Sequence, residues 1–118
     1  MIEVDLFNLL KNNVEVSALV GTRIYSMVAP QNVVTPYITY QVINGKDEQC
    51  LSGGTYQEDI RFQIDCWSKS YSNVKAIRTA VKNSLIGFKS SNNINIMDDY
   101  EAETLLFRQI IDFKLKGK

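Results

Sequence analysis

The sequence predicts an α+β fold: an antiparallel β-sheet of about four strands with two helices packed on one of its faces. Three observations predict it. Apolar residues recur at helical spacing in two separate stretches, MIEVDLFNLLKNN and SNVKAIRTAVKNSL. Between them, IRFQIDCW alternates strictly: Ile60, Phe62, Ile64 and Cys66 against Arg61, Gln63, Asp65 and Trp67. A chain of 118 residues is also long enough to bury one core without metals or disulfides. Residues 1–118 therefore read as a single domain.

The elements follow in the order α-β-β-β-α-β-β. Ile2, Leu6, Leu9 and Leu10, with Phe7 alongside, define an amphipathic helix over 2–12, and Asn12 or Asn13 suits a left-handed end. SALVG makes a short apolar turn ending at Gly21, and TRIYS reads as a short strand. MVAPQNVVTP is a loop, because Pro30 and Pro36 each remove a backbone donor and fix φ. PYITYQVING is β-rich, with Ile38, Tyr40 and Val42 on one face and Tyr37, Thr39 and Gln41 on the other. KDEQCLSGGTYQ is a long polar loop or flared hairpin tip. Ser70 or Ser72 can cap the second helix, whose apolar stripe is Val74, Ile77, Val81 and Leu85, and Gly87 suits its end. SSNN is a turn, INIM a short strand, and ETLLFRQIIDFKLK a long one. In that last strand Leu105, Phe107, Ile111, Phe113 and Leu115 share a face interrupted only by Gln109.

The triplet Asp65-Cys66-Trp67 raises the question of a reactive centre. Alternation sends Cys66 into the core with Phe62 and Ile64 and sends Asp65 the opposite way, so the two cannot act together. Desolvation makes a buried thiol a poor nucleophile. Asp65 has a partner in the sheet instead. If residues 60–67 pair antiparallel with 105–113, one register sets Arg61 opposite Asp112 and Asp65 opposite Arg108. It also faces Phe62 to Ile111 and Cys66 to Phe107. Each such charge pair contributes about 0.2–1 kcal/mol, enough to favour a register but not to hold the fold.

Composition excludes more than it asserts. Lys and Arg number 13, as do Asp and Glu, so no overall field draws the chain to nucleic acid or an anionic membrane. No apolar run approaches the roughly 20 residues of a membrane span, and the acidic start lacks the basic region of a secretory signal. Synthesis and retention in the cytoplasm are expected, with Cys50 and Cys66 as free thiols. Histidine is absent, which removes the Ser-His and Cys-His pairs, the neutral-pH proton shuttle and the ordinary zinc sites. No enzyme, no cofactor and no metal site is expected.

Several groups on the surface suggest contact with partners. On the outer sheet face Trp67, Leu106 and Ile110 lie among charges, either as ordinary scattered apolar residues or as a partner-facing surface. MDDYEAE brings Asp98, Asp99, Glu101 and Glu103 together, without the spacing or the glycine of a calcium loop. It reads as a solvated strand start. Lys75, Arg78 and Lys82 fall on one face of the second helix. An acidic segment and a basic helix face on one chain suggest head-to-tail contact between copies. Two loops are candidate partner contacts: the first carries Pro30 and Gln31, the second Asp47, Glu48, Gly53 and Gly54. The Gly53-Gly54 pair lacks the lysine and helix of a phosphate-binding loop.

Val20 to Gln41, VGTRIYSMVAPQNVVTPYITYQ, has a cadence of VG-x-R-I-Y, then A-P, then P-Y-x-x-Y. RFQIDCWSKSYSNVKAIRTAV follows as strand, D-x-W, then helix, and YEAETLLFRQIIDFKL as a closing strand. In this collinear set the chain resembles phage tail-completion proteins of the tail-terminator kind. The resemblance implies a small non-catalytic subunit, homo-oligomeric in a ring, commonly a hexamer, at the head-proximal end of the virion tail. Its partners would be itself, the tail tube protein and the head connector protein, with DNA passing through the lumen without specific binding and no membrane involved. On this reading the Lys75, Arg78, Lys82 face and the 98–103 segment meet between subunits, and the loops meet tube or connector. The rival readings are a head–tail connector, stopper or minor tail protein, and a ferredoxin-like nucleic-acid-binding module stacking bases on Tyr37, Tyr56 or Trp67.

Overall fold

The computed structural model describes residues 2–46, 58–86 and 92–117. The second loop beyond Lys46, with Asp47, Glu48, Cys50, Gly53, Gly54 and Tyr56, lies outside the described residues, as does Gly87. Helices α1 (Ile2–Asn12) and α2 (Val14–Val20) lead into β1 (Ile24–Ser26), β2 (Tyr37–Lys46) and β3 (Glu58–Ser68). Helix α3 (Tyr71–Leu85) follows, and the hairpin of β4 (Asn92–Glu101) and β5 (Leu106–Gly117) closes the fold. The sheet runs β1-β2-β3-β5-β4.

The mixed α and β architecture is as the sequence predicts, but the sheet has five strands rather than about four and three helices rather than two. It is not wholly antiparallel: β1 runs parallel to β2, with Ile24 beside Ile38 and Ser26 beside Tyr40. A tight hairpin cannot join parallel strands, so residues 27–36 must cross over the sheet. Backbone bonds fix both ends of that crossing: Ile38 N–H donates to the Arg23 carbonyl at 3.0 Å and Met27 N–H to the Tyr40 carbonyl at 2.7 Å. Arg23 Nε reaches the Pro36 carbonyl at 2.8 Å and ties the loop down.

The third helix replaces the expected apolar turn. Asn13 is not left-handed; its φ is −75°, and its side-chain oxygen accepts from Val16 N–H at 3.0 Å. An N-cap of this type restarts the chain as a helix where α1 stops. Gly21, with φ of 61°, ends α2 and donates its N–H to the Ser17 carbonyl. Ser70, not Ser72, caps α3, accepting from Asn73 N–H.

The core lies between the three helices and one face of the sheet. Leu6 and Leu10 of α1, Val16 and Val20 of α2, and Val74, Ile77, Val81 and Leu85 of α3 are completely buried against Ile38, Phe62, Ile64, Ile111 and Phe113. The Phe62 and Phe113 rings stack at 5.6 Å between centroids.

That stack decides the β3–β5 register, which differs by two residues from the expected one. Phe62 sits opposite Phe113 rather than Ile111, Ile64 opposite Ile111, and Cys66 opposite Gln109 rather than Phe107. A two-residue slip keeps every side chain on its own face, so the charge argument alone could not detect it. The two named ion pairs still form, but diagonally. Arg61 reaches Asp112 at 2.8 Å although Gln63 is opposite it, and Arg108 reaches Asp65 at 2.9 Å although Trp67 is opposite it. Long guanidinium side chains span that diagonal, while two phenylalanines must lie side by side to stack.

β4 is longer than the expected INIM strand, and the acidic run forms its end rather than a strand start. Alternation splits the run. Asp98, opposite Gln109, turns toward the helices, where the Tyr71 hydroxyl donates to it at 3.0 Å and Gln109 Nε2 also bonds to it. Gln109 is only 1% exposed, a polar residue set into the core face to hold this clasp between α3 and the hairpin. β5 starts at Leu106; Leu105 lies in the preceding turn, 63% exposed and left-handed at φ 60°.

Ile77→Ala should lower unfolding stability by about 2–5 kcal/mol, read from the urea midpoint, because it empties a fully buried site under α3. The Asp98 clasp makes a second, pH-dependent contribution. Bonds from Gln109 and Tyr71 hold the Asp98 carboxyl below its ordinary range. Its ionised form therefore adds stability above the unfolded carboxylate value of about 3.9, and this is lost as pH falls through the lower folded value. Asp98→Asn should thus be less stable than the parent at neutral pH, with the difference shrinking in strong acid. A difference that stays constant with pH would contradict the clasp.

Candidate functional site

The face of the sheet away from the helices is where the strands bring chemically distinct side chains together. Strict pairing arranges it in rows. Tyr37 of β2, Trp67 of β3, Arg108 of β5 and Asp99 of β4 are directly opposite one another in succession. The next row is Thr39, Asp65, Ile110 and Met97. Alternation in four strands, brought into register by the core on the other side, places all eight.

The first row is a continuous stack. Tyr37 lies almost parallel to Trp67, at 5.8 Å and 16°. The Arg108 guanidinium lies 5.0 Å from the centre of the Trp67 ring. The indole N–H donates to Thr39 Oγ1 at 3.1 Å, so the ring is pinned on its edge as well. Cation–π contacts of this kind hold a guanidinium flat, leaving its N–H groups to point along the sheet. Here they do: one terminal nitrogen donates to Asp65 at 2.9 Å and the other to Asp99 at 3.4 Å.

Asp65 is 6% exposed and also accepts two bonds from Gln63 Nε2. Burial pushes its carboxyl up more than Arg108 pulls it down, and Asp99 adds repulsion. Tyr37 is likewise raised, by burial first and by Glu101 second. Cys66 faces the helices, fully buried, and burial pushes its thiol far above the range in which a thiolate forms. Asp65 and Cys66 thus lie on opposite faces, as alternation predicts.

The crossing loop turns this face into a groove. Met27, Val28, Ala29, Pro30, Gln31 and Val33 wall it on one side, and Tyr37, Asp65, Trp67 and Arg108 form its floor and far edge, enclosing about 440 Å³. Met27 is held left-handed at φ 67° while 65% exposed. Two large apolar residues, Met27 and Leu105, thus occupy a conformation that costs roughly 1–2 kcal/mol, and both face solvent.

The other sequence-predicted site residues fall in three places. Lys75, Arg78 and Lys82 do share α3; the Lys75 ammonium lies 5.1 Å over the Tyr71 ring, while Lys82 is exposed. Asp99 belongs to the outer row, Glu101 closes β4 and accepts from Thr104 Oγ1 at 2.6 Å, and Glu103 is in the exposed hairpin turn. Trp67 and Ile110 are half-buried, and Leu106, at 6% exposure, is covered within the chain rather than open beside them. Pro30 and Gln31 are exposed on the loop. Sequence reasoning missed the stack itself. Its signal was present, since Tyr37 and Trp67 alternate onto one face, but that β2 and β3 are neighbours in this register is a tertiary fact. Among the described residues no three side chains of His, Cys, Asp or Glu come together as metal ligands, and no helix is long and apolar enough to cross a membrane. The arrangement offers a surface for binding.

The model of the family described as tail completion protein gp17 matches residues 4–116. Among solved structures, a chain in the virion of a native gene transfer agent particle has the same fold. Its TM-score is 0.71 at 18% sequence identity, covering 94% of this chain and 90% of that one. At that identity the likeness is one of fold. No curated protein matches. Because the family model spans nearly every element described above, the chain belongs to the phage tail-completion family and is a structural protein of the virion tail.

Proposed function

We propose that this protein acts as a single 118-residue domain that assembles into a six-fold ring on the head-proximal end of a tail tube. There the ring stops tube polymerisation and offers its far side to the head connector. The observation that carries this reading is the family match over residues 4–116.

The physics required is that of a cap. One surface must complement the last ring of the tube, and the opposite one must reject another tube subunit. Loops held on a rigid sheet suit both tasks, since the scaffold fixes where they stand and their side chains set what they accept. The crossing loop with Pro30 and Gln31 is tied at both ends by backbone bonds and is assigned to tube or connector, together with the loop carrying Asp47, Glu48, Gly53 and Gly54. Contacts between subunits are assigned to the basic face of α3 and to the acidic end of the β4–β5 hairpin. The balanced charge supports a lumen through which DNA passes without specific binding. No bond-making step is part of the reading.

Mass measurement in solution with electron microscopy of purified protein, alone and with tail tubes, tests it. Closed rings of six copies, free or seated on tube ends, are expected. A protein that stays monomeric in every condition, tubes included, would overturn the reading.

A further inference from the structure

Charge is unevenly distributed over the two faces of the sheet. At one end of the outer face two carboxylates, Asp65 and Asp99, share one guanidinium, that of Arg108, and Glu101 lies near enough to raise Tyr37. This acidic end borders the groove. On the opposite side of the sheet, α3 carries Lys75, Arg78 and Lys82. Lys75 is already engaged, over Tyr71 and near Asp98. Lys82, two turns further on, is exposed and without a partner among the described residues.

We propose that the groove receives α3 of a second copy of this chain, with the neighbour's Lys82 ammonium set against Asp99, the exposed carboxylate at its edge. The inference rests on the ring reading and specifies its subunit contact. Three features of the geometry select this occupant. The acidic and basic patches lie on opposite faces of one sheet, so two copies satisfy both only head-to-tail, the arrangement that closes into rings. The sidedness of β4 also matters: Asp98 is turned to the helices and bonded there, leaving Asp99 and Glu101 to act outward. Finally, the groove suits a lysine in particular. Its apolar stem can lie along Met27 and Trp67 while its charge meets a carboxylate beside aromatic faces. Met27, left-handed and exposed at the rim, is placed where such a stem would cover it.

A charge-exchange series on the full chain tests the proposal. Lys82→Glu and Asp99→Lys should each weaken self-association by roughly tenfold or more, read by sedimentation at low salt, and the double variant should recover much of the loss. Asp99→Asn, which keeps the shape of the side chain, replaces Asp99→Lys if the latter unfolds, and should weaken association less. Met27→Gly relieves the left-handed strain; it should hold or raise thermal stability while weakening association. If the parent assembles and the single exchanges leave association unchanged, or the double variant is no better than either, this contact is wrong and the ring reading stands. A parent that never assembles, with or without tail tubes, removes the ring reading and this contact together.

Discussion

Everything in this molecule depends on β3 being held on both sides, by β2 and by β5, in the one register that stacks Phe62 on Phe113. Because a strand alternates, fixing that register for the core fixes the far face too. Phe62, Ile64 and Cys66 go to the helices; Gln63, Asp65 and Trp67 are thereby delivered to the outer surface. A hydrophobic choice made on one side of the sheet therefore positions Tyr37, Trp67, Arg108 and Asp99 in a row on the other. The ion pairs then settle into the positions available, reaching diagonally where no partner lies straight across.

The helix layer shows the same division of labour. Completely buried aliphatic side chains from three helices supply the driving force, and a few polar contacts set alignment. Gln109 is the clearest case. An apolar residue there would bury more surface, yet the amide bonds Asp98 and so couples the hairpin to α3 through Tyr71. Buried polar groups of this kind favour one arrangement over its near neighbours more than they add net stability. The outcome is a sheet with one face sealed by helices and one grooved face.

How much of this was legible beforehand varies with the physics. The strand 60–67, the stripe Val74-Ile77-Val81-Leu85 and the inward Cys66 follow from local periodicity, and they are where the sequence predicts them. The two ion pairs were legible because opposite charges on one face find each other across a tolerance of two residues. The register was not, since that tolerance hides a two-residue slip. Helix α2 was hidden because Asn13 could end one helix or begin the next, and only the position of Val16 and Val20 over the sheet selects the second. The parallel placement of β1 was hidden for a similar reason: TRIYS is too short to carry a direction, and its partner is chosen by where the crossing loop returns. The groove was illegible because loop and floor lie far apart in sequence. Leu105 looked like a strand residue by its apolar character; its left-handed turn depends on where Glu101 must stop.

On the ring reading, the grooved face is covered by a neighbouring subunit in the particle. Oxidative footprinting of Met27 measures this most directly, because Met27 stands at the groove rim and is largely exposed in the single chain. Its thioether should oxidise rapidly in the free subunit and be strongly protected in intact particles, while buried core residues stay protected in both. Equal oxidation of Met27 in free subunit and particle would mean that no neighbour covers the groove.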